Sequence, residues 1–183
     1  MVLDLGEIIS TSAESKKNAG SNKFYDIAAS RGIEIRFKDL GGFMGMYKYY
    51  DVYNRFITLN QNNDVPAQTL TGYHELGHDI YDQDIAKDIP LQDFRINMKD
   101  PIELRANMFA AETQLEDSEI WGFIRKGYTI EQMAIATGTY WDYIAIKLDL
   151  LRYKGYEIKQ FEYNSNFLRV AEGKRDGANY FAC

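Results

Sequence analysis

Tyr73-His74-Glu75-Leu76-Gly77-His78-Asp79 is the stretch from which the rest of the chain is read. It holds the pattern His-Glu-x-x-His and both histidines of the 183-residue sequence. On a helix, residues four apart share a face. At 3.6 residues per turn they lie about 40° apart around the axis and about 6 Å apart along it. Two imidazoles so placed can grip one metal ion. Glu75 points around the side, where it can act on a water that the ion activates. That is the arrangement of a zinc peptidase with glutamate as general base. The competing reading is an amphipathic helix carrying two surface histidines. It requires the chain's two histidines to fall at this spacing, beside a glutamate, by accident.

A catalytic zinc usually has three protein ligands and a water. No further histidine exists, so a three-histidine site is excluded and the third ligand is Asp, Glu or Cys183. His₂Glu is the thermolysin-type set, in which the glutamate comes from a later helix. Asp100-Pro101-Ile102-Glu103 opens such a helix, with Asp at the N-cap and Pro in the first turn. Glu103 is the leading candidate and Glu112 the second; Glu103 is also placed as a capping-box glutamate, but the site needs a carboxylate and this helix supplies it. Small side chains at Ala106 and Ala110 suit tight packing of this helix on the histidine helix. Gly77, costly within a helix, makes sense if another backbone approaches there. Metal-bound histidines donate their other N–H to an outer acceptor. Asn107 is the favoured acceptor, and Asp79 and Asp84 are alternatives. An oxyanion donor besides zinc would come from Tyr73, Tyr81 or Arg105.

Around this centre the sequence reads as an α+β domain. Ile33, Ile35 and Phe37 alternate with charged residues, and Met46–Tyr50 and Arg55–Asn60 follow as further strands. They predict a small, mostly antiparallel sheet ahead of a zincin (thermolysin-like, gluzincin) helical core and C-terminal helices. Residues 1–160 are expected to form a single metallopeptidase domain. Within it, 1–21 is an N-terminal extension, polar and loop-like from Ser10 to Gly20. Residues 22–115 form the zincin core and 117–160 a helical part, and 161–183 is a partly flexible tail. Residues 82–100 read as an irregular loop over the cleft. An edge strand at 55–60 could pair with an extended substrate.

The net charge of −6 argues against a partner held by phosphate neutralisation, so no direct nucleic acid is expected. A single cysteine, Cys183, fits a reducing compartment. No basic, apolar leader opens the chain, and no run reaches the roughly 18 apolar residues of a membrane span. A cytoplasmic protein without membrane contact is the expectation.

His74-Glu75-Leu76-Gly77-His78 together with Glu103-Leu104-Arg105-Ala106-Asn107-Met108-Phe109-Ala110-Ala111-Glu112 resembles the two signature segments of the ImmA/IrrE metallopeptidases. Gly32-Ile33-Glu34-Ile35, Gly45-Met46-Tyr47 and Arg55-Phe56-Ile57-Thr58-Leu59-Asn60 resemble the strands ahead of that family's zinc helix. The likeness covers roughly residues 22–150 and departs at Thr113-Gln114-Leu115, where members commonly carry a Leu-Leu pair. It implies one zinc ion on His74, His78 and Glu103, with Glu75 as base. It also implies a narrow substrate: a phage or mobile-element repressor with a helix-turn-helix domain, cut to derepress genes. The alternative is a non-cleaving anti-repressor or a transcription regulator that binds the repressor or DNA. Thr129 to Gly138 and the helix from Tyr140 have a helix-turn-helix outline, but the second helix offers Asp142 and Asp149 against Lys147 and Arg152. A helical hairpin packed behind the zinc site is the expected reading.

Overall fold

The computed structural model describes residues 3–88, 90–93 and 100–158. Its elements in order are α1 (Leu5–Ala19), α2 (Phe24–Ser30), β1 (Glu34–Lys38), β2 (Gly45–Asp51), β3 (Asn54–Asn60), α3 (Val65–Tyr81) and α4 (Gln83–Asp88). There follow β4 (Leu91–Asp93), α5 (Pro101–Gln114), α6 (Asp117–Arg125), α7 (Ile130–Thr137) and α8 (Trp141–Tyr153). The fold is α+β, as expected, and the three leading strands fall where the alternation placed them.

The sheet is mixed, with two of its three strand pairings antiparallel, as expected, and one parallel. Its order is β1-β3-β2-β4. β3 runs parallel to β1 and antiparallel to β2, and β4 is antiparallel to β2. The Asp51 carboxylate accepts from Tyr53 N (2.8 Å) and Asn54 Nδ2, closing the tight β2–β3 turn. β3 is interior because Ile57, Thr58, Leu59 and Asn60 are all buried, which places protein on both of its faces. Its Asn60 amide donates to the carbonyls of Gly41 and Phe43 and anchors the connection into β2. The strand at 55–60 is therefore not an edge and cannot take up a substrate strand.

Two further expectations are corrected. The stretch from Ser10 to Gly20 is helical as far as Ala19 rather than loop-like. An Asp4 cap starts α1, which runs through Ser10–Ala19 and ends at Gly20 with φ 64°. The helix packs on α5, where Thr113 Oγ1 donates to the buried Ser12 Oγ at 2.9 Å. Residues 82–100 are not irregular where described, since α4 and β4 occupy 83–88 and 91–93. The segment 161–183, including Cys183, lies outside the described residues.

The C-terminal helices form a packed layer on α5. A reciprocal capping box between Thr129 and Gln132 starts α7. Residues 143–151 of α8 are buried. Lys147, fully buried, pairs with Glu112 (2.8 Å) and Asp117 (2.6 Å), which removes it from any surface that could meet phosphates. α8 is thus a largely interior helix, packed against α5 and α7.

α3 is the hub. The Asp64 side chain accepts from Ala67 N at 2.9 Å, and Pro66 sits in the first turn. The helix packs on α5 on one side and on β2 and β3 on another. A methyl at Gly77 would lie 2.8 Å from Ala106 Cα and 3.1 Å from its Cβ, so the two backbones touch. Gly77→Ala is expected to destabilise the protein by about 1–3 kcal/mol through overpacking, despite the roughly 1 kcal/mol helix preference of alanine. Thermal denaturation tests this; a variant melting at or above wild type would refute the close approach.

Candidate metal centre

His74 and His78 lie one turn apart on α3, both buried, with their rings edge-on at 4.7 Å. Their Nε2 atoms are 3.0 Å apart. Glu103 rises from the first turn of α5 to meet them, with Oε2 3.2 Å from His74 Nε2 and Oε1 3.5 Å from His78 Nε2. Potential ligand atoms of the three residues lie within 4.8 Å of one another, so the cluster could hold a metal ion. Asp100 caps α5 by accepting from Ile102 N, and the Glu103 carboxylate meets the histidines.

The outer partners orient both rings. His74 Nδ1 meets Asn107 Oδ1 at 2.8 Å, and Tyr143 of α8 donates its hydroxyl to the same oxygen at 2.6 Å. His78 Nδ1 meets Asp82 Oδ2 at 2.8 Å. Arg105 Nη2 donates to the other Asp82 oxygen. Both Nδ1 partners are acceptors, so each Nδ1 carries the hydrogen and each Nε2 presents a lone pair inward. Two such nitrogens and a carboxylate form a set of acceptors with no donor among them. A divalent cation completes this set, and nitrogen with carboxylate is a donor combination that suits zinc.

The two carboxylates beside His78 favour its protonated form. Burial pulls the His78 imidazole down, but Asp82 and Glu103 outweigh it and raise it to about 9. Burial pushes Glu103 up, while hydrogen bonds from His74 and His78 hold it well below the usual carboxylate range. A cation held by these residues would compete with that proton.

Glu75 is fully buried on the flank of α3 that faces β2. A Cβ at Gly45 would lie 2.7 Å from Glu75 Oε1 and 2.3 Å from Thr71 Cγ2, so the strand passes directly over the carboxylate. The other candidates are engaged elsewhere. Tyr73 donates its hydroxyl to Asn22 O at 2.7 Å, packs on Phe24, and is pushed up to about 12 by burial. Tyr81 packs on Phe109 beneath the Arg105 guanidinium. Arg105 itself is spent on Asp82. Asp79 does not touch either histidine but pairs with Arg31 and Arg55. Asp84 is exposed beside Lys87, and Glu112 belongs to Lys147. Asp82 and Tyr143 were missed by sequence reasoning. Asp82, four residues after His78, carried a legible signal; Tyr143, on a distant helix, carried none.

The family model described as Peptidase_M78, IrrE N-terminal-like domain, matches residues 28–139. The chain is also 30% identical over 96 residues to a protein of Bacillus phage phi105 described as uncharacterized immunity region protein 2. That match covers 52% of this chain and 59% of the phage protein. No described helix is long and apolar enough to cross a membrane.

Asp82→Asn and Tyr143→Phe each loosen one imidazole. Each is expected to weaken zinc binding by about 10- to 100-fold, read by competition with a chromophoric chelator. Wild-type affinity in both would show that these contacts do not tune the centre.

Proposed function

The chain belongs to the Peptidase_M78 family with its IrrE N-terminal-like domain, and from that membership we propose that it is a zinc endopeptidase of the thermolysin-like, gluzincin type. Membership supports a metallopeptidase. The convergence of His74 Nε2, His78 Nε2 and the Glu103 carboxylate carries the finer reading.

His74, His78 and Glu103 would hold the ion, with Asn107 and Asp82 fixing the two imidazoles. Bound zinc supplies Lewis acidity, which makes water a nucleophile near neutral pH and polarises the scissile carbonyl. Glu75 accepts the proton of the attacking water and hands it to the departing amine nitrogen. Its burial under β2 excludes bulk water and keeps the carboxylate in one position. The peptide C–N bond breaks as the carbon–oxygen bond forms, so the products are a free carboxylate and a free amine. Arg105 and Tyr143 act through Asp82 and Asn107 rather than on substrate.

The substrate reading is a helix-turn-helix repressor of a phage or mobile element, cleaved in the cytoplasm to derepress genes. The immunity-region name of the phage relative supports a role beside a repressor. A non-cleaving anti-repressor is the other outcome to separate.

The decisive experiment mixes the purified protein, with and without zinc, with the repressor encoded beside its gene. Zinc-dependent fragments that vanish with Glu75→Gln are expected. Binding without fragments in both forms would point to stoichiometric anti-repression instead. Glu103→Ala is expected to lose stoichiometric zinc; unchanged zinc content would remove Glu103 from the ligand set. Gly45→Ala is expected to keep zinc yet cleave about 100-fold more slowly, because the added methyl displaces Glu75. Wild-type cleavage by this variant would disconnect the β2 contact from the chemistry.

A further inference from the structure

On the flank of α3 away from α5 lies a second concentration of buried charge. Asp79, fully buried, accepts from Arg31 Nε (2.6 Å), Arg55 Nη1 (3.2 Å) and the Tyr47 hydroxyl (2.8 Å). Burial and the Asp79 charge raise the Tyr47 phenol far above its usual range, so it stays neutral. Two guanidiniums therefore face one carboxylate, and one positive charge is left over.

Both guanidiniums line a recess of about 240 Å³, whose wall is completed by Ser15 and Asn18 of α1 and Ser30 of α2. Asp79 lies behind the arginines, and no carboxylate forms part of the wall. Arg55 Nη2 is spent on the Arg31 carbonyl, but Arg55 Nε is buried with no hydrogen-bond partner among the described residues. The surplus positive charge sits beside the recess, chiefly at Arg31, whose side chain keeps 29% of its surface exposed. An anion with several acceptor oxygens would neutralise that charge and accept from the guanidinium that lines the recess.

We propose that this recess is a phosphoryl-binding site, filled by inorganic phosphate or by the phosphate of a small phosphomonoester. A carboxylate presents two coplanar oxygens and matches one guanidinium edge. The donors here come from α1, β3 and the end of α2, and they surround the recess. That arrangement suits the tetrahedral oxygens of a phosphoryl group, the anion for which paired arginines are well shaped. Occupancy ties α1, α2 and β3 together around Asp79, immediately after His78 in the chain, and so stabilises the folded state.

The test is thermal unfolding of the full-length protein in increasing sodium phosphate, against sodium chloride at matched ionic strength. A saturable rise in melting temperature with phosphate alone is expected. Asn18 is exposed and outside the peptidase machinery. Asn18→Asp places a carboxylate at the rim and is expected to weaken the phosphate response about tenfold or more. Arg31→Gln is expected to do the same, and should it fail to fold, Asn18→Asp decides. Because Asn18→Asp leaves the His74–His78–Glu103 centre intact, a response lost in it does not come from phosphate on the metal. Ribose 5-phosphate in a parallel titration distinguishes the sources: tighter binding than phosphate assigns an ester, weaker binding the free ion, and both keep the site. A phosphate effect no larger than that of chloride, or an unaltered response in Asn18→Asp, overturns the proposal.

Discussion

Contact between the backbones of α3 and α5, at Gly77 and Ala106, is the constraint on which the centre depends. Glu103 has a short side chain and starts from the first turn of a different helix. It reaches both imidazoles because α5 lies against α3 with only the Ala106 methyl at the crossing. A methyl at Gly77 would press on the Ala106 backbone and push α5 outward. The helix-propensity cost of the glycine is offset by what its absence of a Cβ allows.

The geometry of the candidate centre is fixed by partners behind its two imidazoles. Asn107 and Asp82 each fix one Nδ1, and each is itself held, by Tyr143 and by Arg105. Members of such a network are worth more together than singly, since in a low-dielectric interior each contact polarises the next and an unmet group is costly. The network also joins layers. Tyr143 brings the C-terminal helical layer into register with the metal centre, so α8 is part of the support of the site and not an appended module.

The other face of α3 is clamped by charge. Asp79 follows His78 directly and turns about 100° around the helix axis, toward α2, β2 and β3. Removing either arginine would leave a fully buried carboxylate less compensated, which is strongly destabilising. The motif helix is thus held on one flank by close apolar and backbone contact and on the other by ion pairs. Rotation of α3, which would scatter the two imidazoles and Glu75, is opposed from both sides.

Much of this was legible in the chain. The spacing of His74, Glu75 and His78, the start of α5 at Asp100-Pro101, and the alternation of the first strands are properties of single elements, and the period of a helix or strand determines them locally. The close approach at Gly77 was also foreseeable, because an unfavoured residue in a helix asks for a reason. What lay between elements was not legible. Glu103 and Glu112 sit on the same helix, and only packing sends one to the histidines and the other to Lys147. Asp79 and Asp82 sit on or at the end of the same helix, and only the surrounding layers send one to two arginines and the other to His78. The insertion of β3 between β1 and β2, the role of Gly45 over Glu75 and the reach of Tyr143 to Asn107 belong to the same class. Sequence determined which chemistry each element carries, because period and residue type act within a segment. Tertiary structure decided which carboxylate meets which cation, because that choice depends on distances across the core that no local pattern encodes.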